Sequence, residues 1–194
     1  NRGSMAGRLV LLHGWGADAN DLQPLGEALQ SQGQMPLELI SFDAPELHPQ
    51  GSGRQWYGLF PAQWEAVPQA VDLLKRGLLQ LEGGASALQR TVLFGFSQGG
   101  AMALHAGCEL PLAGVISCSG YPHPEWHPPS SHPPVLVLHG RDDAVVPYDA
   151  MGRIRNQLNG KRCKTLSFEN GHTIPTEMMQ PIRNFIDSVL NEST

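Results

Sequence analysis

A serine set between two glycines is the feature of this sequence that most clearly carries chemistry. Gly95-Phe96-Ser97-Gln98-Gly99 is a G-x-S-x-G pattern that directly follows an apolar run and directly precedes a helical one. In that context the serine occupies a sharp, strained turn above a sheet, and the glycines remove side chains that would clash there. The pattern predicts Ser97 as a nucleophile for acyl transfer. A serine that merely caps the helix among packing glycines is the alternative.

A serine hydroxyl needs a general base, and six histidines follow Ser97 in the chain. His172 comes just after the last apolar run and before a helical pattern, which predicts a loop at the carboxyl edge of a sheet. His105 lies inside an apolar helical run and His139 ends a strand, so we expect packing and turn-bracing roles for them. The histidines of residues 121–134 sit in a proline-rich segment without metal-ligand spacing. His172 is the predicted base by elimination.

The acid that orients the base is expected between the serine and the histidine in the chain. Asp142 and Asp143 both follow the apolar run that ends at His139, and either could hold the imidazole tautomer and stabilise the imidazolium. Spacing alone does not choose between them. We expect Asp149 to cap the next helix instead.

A tetrahedral intermediate also needs two preorganised donors for its oxyanion. The backbone N–H of Gln98, the residue after the nucleophile, is one candidate. The second is expected on the loop after an early strand, where His13-Gly14-Trp15-Gly16 forms a glycine-flanked turn, and we predict the Trp15 N–H. An ordinary glycine-rich turn with an anchoring tryptophan is the alternative.

The elements that must position these residues are short apolar runs alternating with helical patterns. The runs lie at residues 9–12, 37–42, 91–94, 113–117, 135–138 and 164–168, and the helical patterns at 65–82, 97–109 and 178–190. Several runs are apolar at successive positions, which is typical of parallel strands buried on both faces. We therefore predict an open α/β sheet whose ligands bind beyond the carboxyl ends of its strands.

Length and composition limit the remaining possibilities. The chain has 194 residues, 41% of them apolar and 16% charged, which favours a single domain over residues 5–194 with a sizeable core. The first four residues resemble a remnant of an expression tag. A net charge of −5 provides no general basic field, so nucleic acid is not an expected partner.

The cysteines and the longest apolar runs bear on location. Cys108, Cys118 and Cys163 form no CxxC pair and are predicted to be reduced, mostly buried thiols. No apolar run approaches the roughly 20 residues of a membrane span. These features lead us to expect a cytoplasmic protein; its oligomeric state stays open.

Taken together, four segments resemble the phospholipase/carboxylesterase family of α/β-hydrolases, which includes bacterial carboxylesterases and acyl-protein thioesterases. They are Leu12–Asp18, Gly95–Gly100, His139–Pro147 and Gly171–His172, with weaker similarity at Trp56-Tyr57 and Ser119–Tyr121. The resemblance implies an α/β-hydrolase fold with a mostly parallel central sheet, helices on both faces and no cap domain. It also implies Asp143 as the triad acid beside Ser97 and His172, with the Trp15 and Gln98 amides as the oxyanion hole.

The resemblance further implies a substrate groove bordered by Trp56 and Tyr57, and no metal or organic cofactor. Family members usually carry leucine where this chain has Trp15, so we expect a narrower or reshaped acyl groove. The predicted function is a serine esterase acting on small-molecule esters or acylated substrates with short to medium acyl chains. An acyl-protein thioesterase, a lysophospholipase and a hydrolase-fold ligand-binding protein are the alternatives.

One further cluster could serve a partner-binding role. It comprises Arg153, Arg155, Lys161, Arg162 and Lys164. We interpret it as a solvated helix face and turn.

Overall fold

The computed structural model describes residues 7–192, which form one central sheet between two layers of helices. The six strands are β1 (Gly7–Leu12), β2 (Leu37–Phe42), β5 (Thr91–Phe96), β6 (Gly114–Cys118), β7 (Val135–Gly140) and β8 (Cys163–Phe168). Their order is β2-β1-β5-β6-β7-β8, and every neighbouring pair is parallel. β1, β5, β6 and β7 are buried along almost their entire length, which explains their uninterrupted apolar sequences.

Helices cover both faces of this sheet, as the sequence predicts. They are α1 (Gln23–Gln32), α2 (Val67–Leu79), α3 (Gly84–Ala87), α4 (Gln98–Gly107), α5 (Ala150–Gln157) and α6 (Met179–Glu192). One apolar core packs α2, α4 and α5 against the sheet, and the other packs α1 and α6 against the opposite face. A small antiparallel hairpin, β3 (Glu46–Leu47) with β4 (Arg54–Gln55), lies apart from the main sheet.

The predicted strands all occur, with ends that differ by no more than two residues from the apolar runs. The helical pattern at residues 65–82 gives α2 preceded by a short 3₁₀ turn at Trp64–Ala66. Asp149 occupies the residue before α5, but its side chain makes no capping hydrogen bond, so that predicted cap is wrong. The predicted tag remnant, residues 1–4, lies outside the described residues.

Parallel strands bring all the candidate chemistry to one edge. Trp15 follows β1, Ser97 follows β5, Asp143 follows β7 and His172 follows β8. The carboxyl ends of these strands meet at the same side of the sheet, so loops distant in sequence become neighbours there. Cys108, Cys118 and Cys163 are free thiols and the first two are buried, as predicted. Within the described residues, no helix combines the length and apolarity needed to cross a membrane.

Candidate active site

Ser97 stands on a strained turn between β5 and α4. Its φ is 60° and its ψ is −119°, a combination that side-chain-bearing residues rarely adopt. The turn is anchored because the Ser97 N–H donates to the Cys118 carbonyl at the end of β6, at 2.9 Å. A Cβ at Gly95 would overlap the Gly99 carbonyl, and one at Gly99 would overlap the Leu12 carbonyl. The glycines of the motif are therefore required by the close approach of backbone to backbone.

The Ser97 hydroxyl does not cap α4. The residue occupies the N-cap position, but its side chain makes no capping hydrogen bond, and its Oγ lies 3.0 Å from His172 Nε2. His172 Nδ1 in turn lies 2.8 Å from Asp143 Oδ2. These three predicted residues, separated by up to 75 positions in the chain, are thus joined in one hydrogen-bonded series. The capping alternative for Ser97 is not what the structure contains.

Asp143 is fixed in orientation from both of its oxygens. Its Oδ1 accepts the backbone N–H groups of Val145 at 2.9 Å and Val146 at 2.8 Å, which leaves Oδ2 for His172. Burial by itself would raise the pKa of this carboxyl, but the hydrogen bonds from His172 and the two amides outweigh burial and hold the pKa below its usual range. The neighbouring Asp142 is exposed, and its backbone N–H donates to the Asn170 carbonyl. Of the two aspartates that spacing left open, only Asp143 faces the imidazole.

His139 braces this loop, as predicted. Its ring is fully buried, and its Nε2 lies 2.8 Å from the Val146 carbonyl. The same nitrogen is 3.4 Å from Asp143 Oδ2. His139 therefore holds the residues that hold Asp143.

The two predicted oxyanion donors flank Ser97. Gln98 opens α4, where the first N–H groups have no acceptor within the helix, and Trp15 lies on the turn after β1. Within residues 7–192, neither of these two amides donates to another group of the chain. The turn approaches the nucleophile closely, since a Cβ at Gly14 would lie 3.3 Å from Ser97 Cβ. Two free N–H groups beside a serine hydroxyl are what an oxyanion hole requires.

Trp56 and Tyr57 do not line the groove, contrary to the expectation from the family resemblance. Trp56 is 4% exposed and Tyr57 is fully buried. The Trp56 N–H donates to the Gln98 side-chain oxygen and the Gln98 side-chain amide donates to the Tyr57 carbonyl, both at 2.9 Å. The Trp56 indole N–H donates to the His13 carbonyl at 2.9 Å. Large aromatic rings in this pair are core residues that tie the loop after β1 to the nucleophile turn.

The groove above Ser97 encloses about 490 Å³, within the range typical of small-molecule sites. Ser97 and His172 line this groove together with mostly apolar and aromatic residues and one arginine. These other lining residues are Trp15, Leu59, Phe60, Trp64, Gln98, Tyr121, Pro122, Pro124, Val145, Val146, Pro147 and Arg153. Trp15 packs edge-on against Phe60, with ring centroids 5.3 Å apart, and Phe60 is 81% exposed. Sequence reasoning found Trp15 but missed Phe60, Trp64 and Arg153, because no short motif marks them.

The proline-rich segment at residues 121–134 forms one wall of the groove. The Tyr121 hydroxyl lies 2.6 Å from the Tyr57 hydroxyl, which lies 2.7 Å from His123 Nε2. His123 Nδ1 is 2.9 Å from His105 Nδ1. Burial, reinforced by His105, lowers the pKa of His123 to about 3, so the ring is neutral. His105 is thus a hydrogen-bonded packing residue, as expected, and these histidines anchor the groove wall.

A second cavity, of about 470 Å³, also reaches His172. Phe96 lies in its wall, with its ring centroid 4.9 Å from that of His172. Of the described residues that line this wall, Asp21 is the only carboxylate and, besides His172, the only one with a titratable side chain. The imidazole is therefore accessible from two sides of different chemical character.

A family model described as phospholipase/carboxylesterase matches residues 2–190. Acyl-protein thioesterase 1 of Yarrowia lipolytica is 24% identical over 95% of this chain and 92% of its own length. Acyl-protein thioesterase 1 of Neurospora crassa is 31% identical over 59% of this chain, which spans only 51% of that relative. Among solved structures, esterase PE8 is 26% identical, with a TM-score of 0.81 over 94% of this chain and 92% of its own.

Proposed function

This chain belongs to the phospholipase/carboxylesterase family and has the α/β-hydrolase fold, and from that premise we propose that it is a serine esterase with Ser97 as its nucleophile. The hydrogen-bonded series from Ser97 through His172 to Asp143, at 3.0 and 2.8 Å, carries this proposal. Ser97 and His172 of this series line the groove, and two free backbone amides lie beside Ser97. A nucleophile, a base, an orienting acid and an oxyanion site together define an acyl-transfer centre.

In the first half of the reaction, His172 Nε2 removes the Ser97 proton as Oγ attacks the ester or thioester carbonyl. Asp143 holds Nδ1 protonated and stabilises the imidazolium that forms. The carbonyl oxygen becomes an oxyanion and accepts the Trp15 and Gln98 N–H groups. Collapse breaks the bond to the leaving group, to which His172 returns the proton when an alcohol leaves. A thiolate can leave without it, and His172 then releases the proton to solvent before the second half of the reaction.

In the second half, water attacks the acyl-enzyme. His172 takes a proton from this water, and the same two amides stabilise the second oxyanion. Collapse releases the carboxylic acid and returns the proton to Ser97. No step draws on a metal or an organic cofactor.

The residues that line the groove favour substrates whose acyl groups are of short to medium length. Trp15, Phe60 and Trp64 place three aromatic rings around a volume of about 490 Å³. The usual family residue at the Trp15 position is the smaller leucine, so the indole occupies space that an extended chain would need. The alternatives are an acyl-protein thioesterase, which the names of the fungal relatives favour, and a lysophospholipase. Both would use the same triad.

Initial rates on matched oxygen esters and thioesters, with acyl chains from acetyl to palmitoyl, test the proposal. We expect sustained turnover that Ser97→Ala abolishes, with a maximum at short to medium chains. Rates unchanged by Ser97→Ala, or no turnover on any substrate, would overturn the serine esterase mechanism. A rate that rises steadily toward palmitoyl, or a strong preference for thioesters, would leave the nucleophile in place and favour the thioesterase alternative.

A further inference from the structure

Within the part of the chain that the structure describes, Arg153 is the one permanently charged residue that lines the groove above Ser97. It lies in α5 and is exposed, and its backbone N–H donates to the Asp149 carbonyl. Among residues 7–192, no hydrogen bond or ion pair engages its guanidinium, although Asp149 lies about one turn away at the N-cap of α5. The expectation that this residue belongs to a merely solvated helix face is therefore incomplete, because its side chain forms part of the groove.

The rest of the groove offers this cation no counter-charge. No carboxylate of the described residues lines it, and two polar groups of its aromatic walls are engaged elsewhere: the Trp15 indole N–H donates to Gln55 and the Tyr121 hydroxyl bonds Tyr57. A neutral acyl chain laid over the guanidinium would strip its water without supplying a partner, which costs free energy. A carboxylate or a phosphate would instead form a charge-assisted, two-pronged pair with it.

We propose that the substrates of this enzyme carry an anionic group, a carboxylate or a phosphate, that binds Arg153 while the ester carbonyl lies at Ser97. This inference rests on the proposed function and specifies its substrate class. The proposal is consistent with the charge of the second cavity. Asp21, the only carboxylate among the described residues that line that cavity, would repel the same anion. The groove would thus accept the anionic part of the substrate, and the second cavity would accept only an uncharged part.

The attraction must be local. The chain carries a net charge of −5, so its overall field disfavours anions. Arg155 provides a matched control, because it lies in the same helix, is exposed and does not line the groove. Removing its charge changes the net charge of the protein as much as removing that of Arg153.

The test uses two pairs of esters. In the first, an acyl chain ends in a free carboxylate or in the corresponding primary amide; in the second, the leaving alcohol carries a phosphate or a neutral group of similar size. We expect wild type to prefer the anionic member of one pair by about five-fold in kcat/KM, the upper range for one ion pair with an exposed arginine. Arg153→Gln should abolish the preference and Arg153→Glu should reverse it, while Arg155→Glu should preserve it. The pair that responds identifies whether the anion is on the acyl or the leaving-group side.

A preference that is absent in wild type, that survives Arg153→Gln, or that Arg155→Glu weakens equally would overturn the inference. Ser97→Ala, measured on the same four esters, separates this failure from a failure of the proposed function. If turnover depends on Ser97 but not on substrate charge, the esterase stands and the anion site does not. If turnover persists in Ser97→Ala, the esterase mechanism itself is wrong.

Discussion

The Gln98 side chain gives the sharpest test of how the site is held, because it touches no member of the proposed triad. It is fully buried and bridges the Trp56 N–H and the Tyr57 carbonyl through two bonds of 2.9 Å. Gln98→Met keeps the length of the side chain but leaves both backbone groups buried without partners. At about 1–3 kcal/mol for each unpaired group, the free energy of unfolding should fall by about 2–6 kcal/mol.

The same change should slow the chemical step. The segment held by Gln98 also carries the Trp56 indole, which bonds the His13 carbonyl two residues before the Trp15 amide. Loosening this bridge lets the two oxyanion donors move relative to each other. Loss of a whole donor costs about 100- to 1,000-fold in kcat, so a displaced donor should cost about 10- to 100-fold. KM should change much less, because Gln98 is fully buried and the aromatic walls of the groove stay in place.

Steady-state kinetics, urea unfolding and the affinity of a trifluoromethyl ketone, which mimics the tetrahedral intermediate, check this prediction. Trp56→Phe is the companion variant, since it keeps a ring but removes the indole bond to His13. If both residues act through one bridge, the double variant should lose less than the sum of the two single losses. A Gln98→Met protein that is destabilised as predicted but keeps the wild-type kcat and inhibitor affinity would refute the positioning role.

Four other outcomes are expected. Asp143→Asn should lower kcat by about 10³- to 10⁴-fold at neutral pH, because the amide favours the wrong tautomer of His172; steady-state kinetics with little change in KM would show this. Because the pKa of Asp143 is lowered in the folded state, its ionised form stabilises the fold. This contribution to the free energy of unfolding is present above the carboxyl pKa of the unfolded chain and is lost as pH falls through the pKa of the folded state. In urea titrations, the stability of Asp143→Asn should therefore fall less steeply with acid than that of wild type. Trp15→Leu should shift the preferred acyl chain to greater length, and a rate profile across an ester series with an unchanged optimum would contradict the indole as the limit. Arg183 is fully buried and bonds the Leu29 and Met35 carbonyls and Asp187. Arg183→Met should therefore lower the free energy of unfolding by about 3–5 kcal/mol, with normal activity per folded molecule.

The parts of this fold that the sequence predicts are those governed by local patterns. Strands buried on both faces must be apolar at successive positions, and a nucleophile turn needs glycine where backbones touch, so both leave a signature. α1 leaves little signature, because Gly26 and Leu29 are its only buried residues and its apolar stripe is correspondingly thin. Local pattern also could not choose between Asp142 and Asp143, since the choice depends on which carboxylate faces a residue 29 positions away.

The roles that sequence reasoning misassigned are those decided by direction rather than position. Trp56 and Tyr57 bond the Gln98 side chain, and their aromatic character suits a groove wall, yet both residues are buried in the core. Arg153 belongs to a basic cluster that the sequence pattern led us to interpret as a solvated helix face, yet Arg153 lines the groove. Near the end of a helix or strand, the direction in which a side chain points depends on the backbone geometry of the adjoining loop. No short sequence motif records that geometry.

The bonds that form the site are also bonds that form the fold, and this limits how far the two can be separated by mutation. The nucleophile turn is anchored to β6 through Cys118, lies against the Leu12 carbonyl at Gly99, and is joined through Gln98 to the Trp56 segment. Changes along this line should lower stability and turnover together. Changes at α6, on the opposite face from α4, should lower stability alone. Comparing the two classes therefore asks whether activity is lost because the chain unfolds or because two amides no longer converge on one oxygen.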